Sequence, residues 1–170
     1  SLLNDISLGL NYTIIDAQIK VPSEILTTYT TNNTKGPQGP FVGADVLKNT
    51  RGLYDQPEWI MNADLTFELE NYGTSITIAY YAQSNVLNTV GTGNAEGNGL
   101  STLDEYLSEY SQIDLNLKQK VNENSYIRFK VGNITDSKRS IIYDPSYVVD
   151  YERLSYRNGK DYSISYNLEF

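Results

Sequence analysis

Apolar and polar residues alternate one for one in six stretches of the chain. In residues 5–14 (DISLGLNYTI), Ile6, Leu8, Leu10, Tyr12 and Ile14 alternate with Ser7, Gly9, Asn11 and Thr13. The same beat runs through residues 59–70 (WIMNADLTFELE), 74–83 (TSITIAYYAQ), 110–121 (YSQIDLNLKQKV), 125–133 (SYIRFKVGN) and 161–170 (DYSISYNLEF). Period two sends successive side chains to opposite faces of an extended strand. The pattern therefore predicts six strands of about ten residues. None of the six reads well as a helix.

The connections alternate between short and long. Residues 70–74 (ENYGT) and 122–125 (NENS) are tight turns rich in Asn and Gly. Residues 20–58, 84–109 and 135–160 form long polar stretches, the first with KGPQGP and the second with GTGNAEGNG. Structureless loops of that length are uncommon in compact soluble domains. Long loops at one end, short turns at the other and alternating ten-residue strands describe an antiparallel transmembrane β-barrel of the bacterial outer membrane. On that reading Ile6, Leu8, Leu10, Leu65, Phe67, Ile76, Ile78, Leu115, Leu117, Ile127, Phe129, Ile164 and Tyr166 face lipid. Asn11, Asp64, Thr66, Thr77, Asp114, Asn116, Arg128, Ser163 and Ser165 face a lumen. A soluble barrel or sandwich alternates in the same way, with its polar face in water.

Composition narrows the partners. The 170 residues suffice for one domain, and 13 Lys+Arg against 21 Asp+Glu leave a net charge of −8. That balance argues against nucleic acid, whose phosphates need a basic surface. Cysteine and histidine are both absent, which removes disulfides, thiol chemistry and the commonest general base and metal ligand. GTGNAEGNG lacks the lysine and following helix of a phosphate loop. Asp144 and Asp150 lack a calcium-ligand pattern, so no metal, cofactor or enzymatic activity is expected.

The C-terminal part carries an ordered set: two alternating strands in residues 110–133, NITDSKR at 133–139, the aromatic stretch IIYDPSYVVDY, and a last strand ending in Phe170. In that order it resembles the end of a TonB-dependent outer-membrane receptor. DQPEWIMNADLTFELE followed by GTSITIAYYAQ resembles an earlier hairpin of the same family. The resemblance implies an all-β segment, residues 1–170, that supplies six strands of a larger 22-stranded barrel. Earlier strands and the plug domain would lie upstream. It implies import of a scarce nutrient (an iron chelate, cobalamin or an oligosaccharide) driven by TonB through the plug. It implies as partners outer-membrane lipid, the remaining strands and the barrel-assembly machinery. That machinery would read Tyr162, Ile164, Tyr166, Leu168 and Phe170. The alternative is a structural or partner-binding β-barrel, or a soluble β-domain.

Ligand contact is expected in the long loops, where rigid aromatic surface costs little entropy. The candidates are Phe41, Tyr54, Tyr143, Tyr147 and Tyr151. Each ring is also suited to packing one loop on another or to the membrane interface.

Overall fold

The computed structural model describes residues 5–20, 50–90, 104–143 and 152–169. These residues are all-β apart from a short 3-10 turn at Glu70–Tyr72. In chain order the strands are β1 (Ile6–Ile14), β2 (Gln18–Lys20), β3 (Thr50–Gly52), β4 (Trp59–Leu69), β5 (Thr74–Gln83) and β6 (Val86–Thr89). They continue with β7 (Glu105–Leu107), β8 (Tyr110–Asn122), β9 (Ser125–Gly132), β10 (Lys138–Tyr143), β11 (Glu152–Arg157) and β12 (Asp161–Leu168). Among them, β1, β4, β5, β8, β9 and β12 are the six alternating stretches.

Those six form one antiparallel sheet in the order β1-β4-β5-β8-β9-β12. Its register keeps the two faces apart. Leu8 lies opposite Leu65, Leu65 opposite Ile78, Ile78 opposite Leu115, Leu115 opposite Val131, and Val131 opposite Tyr162. One pair further along, Ile6, Phe67, Ile76, Leu117, Phe129 and Ile164 make a second unbroken apolar row. Between these lies a polar row of Ser7, Thr66, Thr77, Asn116, Lys130 and Ser163. A slip of one residue in any strand would mix the rows, so the register is specified by the pattern. The thirteen residues expected on the apolar face and the nine expected on the polar face fall into these two sets.

The turns behave as their sequences require. Gly73 closes the β4–β5 turn at φ 61°. A Cβ there would be strained, and it would also sit 2.8 Å from Cβ of Lys120. Glu123 and Asn124 close the β8–β9 turn, with the Asn124 amide donating to Oδ1 of Asn122 at 3.0 Å. Both short turns lie at one end of the sheet, and all three long connections leave the other.

The described parts of the long connections carry short strands of their own, which the alternation did not predict. Chain leaving β5 restarts as β6, and chain leaving β9 restarts as β10. The strands β6, β7, β10 and β11 form a second antiparallel sheet in the order β11-β10-β7-β6. That order repeats β12-β9-β8-β5, so each outer strand continues the wall above its own lower strand. β2 and β3 do the same above β1 and β4. These outer strands run to six residues at most, too short for alternation to register above loop composition.

Two features distinguish this architecture from a sandwich. The sheet is open: β1 and β12 are its two edges and do not pair with each other. Neither face is covered by another described element, since the substantial contacts among the described elements are those between neighbours in a ladder or turn. Leu8, Leu10, Ile14 and Ile164 are between 68 and 75% exposed. The buried apolar residues Ala82, Val86, Leu87, Tyr110 and Val131 lie instead at or next to the end where the long sheet gives way to the outer strands.

Candidate functional site

At that junction polar side chains replace the interrupted ladder. Ser84 follows β5, and its hydroxyl accepts from the amides of Glu58 at 2.7 Å and Trp59 at 3.3 Å. Asn85 accepts the Glu109 amide at 2.6 Å. Asn133 follows β9 and is 5% exposed. It adopts the left-handed conformation, φ 52°, which Asn tolerates better than most residues. Its side-chain amide donates to the Gly159 carbonyl at 2.8 Å, and its Oδ1 accepts from the Ser137 amide at 2.9 Å. Its own backbone amide donates to Asp114 at 2.8 Å. One residue thus ties β8, β9 and the approach to β12. Asp114 also accepts from Gln112, which accepts from the Tyr110 hydroxyl at 2.8 Å. The Arg139 guanidinium stands 3.8 Å from the centre of the Tyr110 ring.

The outer wall is stitched by charge. Arg51 in β3 pairs with Asp104 ahead of β7 at 3.2 Å, with side-chain exposures of only 12 and 14%. Arg153 on β11 reaches across β10 to Glu105 on β7 with contacts of 2.8 and 2.6 Å. Lys138 bridges to Glu152. With the Ser140 and Ser155 hydroxyls, Lys138 holds the Glu152 carboxyl down at about 2 from an ordinary 4.5. Desolvation opposes this but is outweighed.

The expected ligand residues are distributed unevenly. Tyr54 lies in the outer wall: its backbone bridges to Leu87 and its hydroxyl accepts the Val90 amide at 3.0 Å. It therefore joins the first long connection to the second. Tyr143 ends β10 opposite Glu105 and is half-buried. The wall brings the two rings into the same layer. Phe41, Tyr147 and Tyr151 lie outside the described residues, as do Asp144 and Asp150. On β12, Tyr162, Ile164, Tyr166 and Leu168 line up on the apolar face opposite Val131, Phe129, Ile127 and Ser125. Phe170 lies outside the described residues.

The polar side of the long sheet is hollowed. One hollow of about 360 Å³ is lined by Thr77, Ala79, Asp114, Asn116, Lys130 and Asp161, among others. Another, of about 290 Å³, lies toward the short turns between Glu68, Ser75, Lys118, Lys120, Tyr126 and Glu169. These hollows are not legible in the sequence, because they arise from register between strands far apart in the chain. No cluster of three metal-ligating side chains occurs among the described residues.

The geometry defines an all-β wall with one apolar face, one polar face and an outer rim. Comparison with family models, curated proteins and solved structures found no match in any of the three.

Proposed function

We propose that the chain is the C-terminal part of the barrel of a TonB-dependent outer-membrane receptor. In this reading the receptor captures a scarce nutrient outside the cell and imports it with energy delivered through TonB. The observation that carries the reading is the apolar face, continuous across all six long strands and covered by no other described element. A face of that size is an aggregation hazard in water and an asset in lipid. Ten residues at ~3.3 Å, tilted by ~40°, span a band of about 25 Å, the height of the lipid-facing belt of such barrels. The open edges support the same reading. An unpaired strand in hydrocarbon leaves backbone groups unsatisfied, so further strands are expected at β1 and β12. The six-stranded sheet is then about a quarter of a 22-stranded barrel.

The polar face lines the lumen, and the outer wall with Tyr54 and Tyr143 forms the extracellular mouth. Phe41, Tyr147 and Tyr151 belong to the same set of loop candidates for the nutrient. The final strand through Phe170 serves as the assembly signal. The plug, TonB acting through it and the assembly machinery are the implied partners.

Fractionation tests this directly. The chain is expected in the outer-membrane fraction, resistant to alkaline carbonate and released by detergent. Recovery in the soluble fraction without detergent contradicts the proposal and favours a soluble β-domain. A panel of labelled iron chelates, cobalamin and oligosaccharides, taken up by parent and deletion strains, then assigns the nutrient.

A further inference from the structure

Asparagine followed by glycine occurs at Asn98–Gly99 and at Asn158–Gly159. The first pair lies outside the described residues. The second falls in the break between β11, which ends at Arg157, and β12, which begins at Asp161. Asparagine is among the chemically labile side chains. Its weakness is the backbone that follows it, because the next amide nitrogen can attack the side-chain carbonyl carbon. A Cβ on that next residue crowds the approach, and glycine has none.

The surroundings leave this attack unopposed at Asn158. The residue is exposed, and its side chain makes no hydrogen bond to any described residue. The Gly159 amide belongs to no ladder and donates to no described backbone carbonyl. Gly159 stands at φ 82°, with nothing within 4 Å of where a Cβ would be. Arg157 and Lys160 flank the pair. Nearby cations favour both the deprotonated amide that attacks and the carboxylate that results. No other described asparagine is followed by glycine. Asn124 is also exposed in a turn, but Ser125 after it carries a Cβ, is 3% exposed and pairs with Leu168. Asn133 is buried, and its side chain is bonded through both nitrogen and oxygen.

The neighbours of Asn158 hold the junction together. The Gly159 carbonyl accepts from the Asn133 side chain at 2.8 Å, and Asn133 Oδ1 accepts the Ser137 amide at 2.9 Å. On the other side, Arg157 donates to the Asp136 carbonyl and lies 3.8 Å from the Asp136 carboxylate. Both ends of the segment from Asn133 to Ser137 are thus tied to residues next to Asn158.

We propose that Asn158–Gly159 is a self-modification site whose product loosens the junction between the long sheet and the outer wall. The Gly159 nitrogen gives its proton to water or hydroxide and bonds to Cγ of Asn158. The side-chain nitrogen takes up a proton and leaves as ammonia. Water then opens the resulting succinimide at either carbonyl, giving aspartate or isoaspartate. Isoaspartate routes the backbone through Cβ, and the extra carbon displaces the Gly159 carbonyl from Asn133. Its carboxylate also competes with Asp136 for Arg157. The inference does not depend on the receptor reading.

Ageing the chain in its native assembly at mildly alkaline pH tests it. Peptide mapping should show Asn158 lost about tenfold faster than Asn124, whose following residue carries a Cβ. Isoaspartate should exceed aspartate at position 158, as opening of a succinimide requires. Hydrogen exchange at the Ser137 amide, read on the same samples, should quicken in step with the isoaspartate. Asn158→Gln keeps an amide but must close a larger ring, so it should neither convert nor change its exchange on ageing. Survival of Asn158 for as long as Asn124 overturns the inference. Conversion to aspartate alone, or unaltered exchange at Ser137 in fully converted protein, does the same. Equal quickening at Ser137 in aged Asn158→Gln also overturns it, because the loosening would then start at another residue.

Discussion

The long sheet and the outer wall are built from the same chain passes and are held together differently. In the long sheet, backbone ladders do the joining, with a single register shift at Lys120/Asn122 beside the β8–β9 turn, and no other described element covers either face. In the outer wall the ladders are short and shifted, at Ile141/Ile142 and at Leu87/Thr89, and ion pairs and a buried junction add the connection. On the proposed receptor reading the difference follows from two surroundings. A wall that meets lipid on one side needs its side chains for the solvent it faces, so it can spend few on internal packing. A wall in water needs specific polar contacts between loops that would otherwise move apart.

The largest expected effect comes from breaking the long sheet's division of faces. Ile78→Arg, in a central strand on the apolar face, should cost ~2–4 kcal/mol if that face meets lipid. Ala79→Lys puts a charge one residue away on the polar face, between Asp64 and Asp114. It should stay within about 1 kcal/mol of the parent, because opposite charges across strands attract. Urea unfolding of the assembled protein in lipid vesicles measures both. Equal losses would remove the distinction between the faces.

Next is the junction. Asn133→Ala removes the bonds to Gly159 and Ser137 and places a Cβ-bearing residue without Asn's tolerance at φ 52°. A loss of about 2–3 kcal/mol is expected, and Asn133→Gly should recover the backbone share. Hydrogen exchange should quicken in β10 and β11 while β4 and β5 stay protected.

A smaller effect is set by pH. The Glu152 carboxyl is held near 2 against an ordinary 4.5, chiefly by Lys138. A lowered carboxylate contributes fully above its ordinary value, and the contribution fades as pH falls from about 4.5 toward 2. Exchange in β10 and β11 should therefore rise over that window in the parent and change less in Glu152→Gln. The smallest effect is expected from Arg153→Ala. The arginine is 54% exposed, and such pairs contribute about 1 kcal/mol or less. Local exchange at Glu105 should register it while global unfolding hardly moves.

The six long strands were legible because each repeats its alternation over at least eight residues, long enough to separate period two from chance. Leu65 and Ile78 could be assigned to one face before any pairing was known. The outer strands were not legible. Glu105–Leu107 is three residues long, and its place depends on Arg153 and Ile141, which lie far along the chain. Asn133 could be read as part of NITD, but its burial and left-handed backbone follow from where Asp114 and Gly159 come to lie. The pairing of like charges was hidden for the same reason. Lys118 and Arg128 are ordinary polar positions in sequence, and only the β8–β9 register sets them face to face. Tyr54 stands out in the sequence for its ring, whereas its hydroxyl and backbone fasten one connection to the next.

Single cysteines offer the most direct test of the account, because the chain has none of its own. A fluorophore attached in turn at Leu65, Thr66, Phe67, Ile76, Thr77 and Ile78, in protein assembled into vesicles, reports which solvent each position meets. Bromine atoms on the lipid chains should quench labels at Leu65, Phe67, Ile76 and Ile78 and leave Thr66 and Thr77 bright. Uniform quenching, no quenching, or quenching at Thr66 and Thr77 instead would contradict an apolar face turned toward lipid.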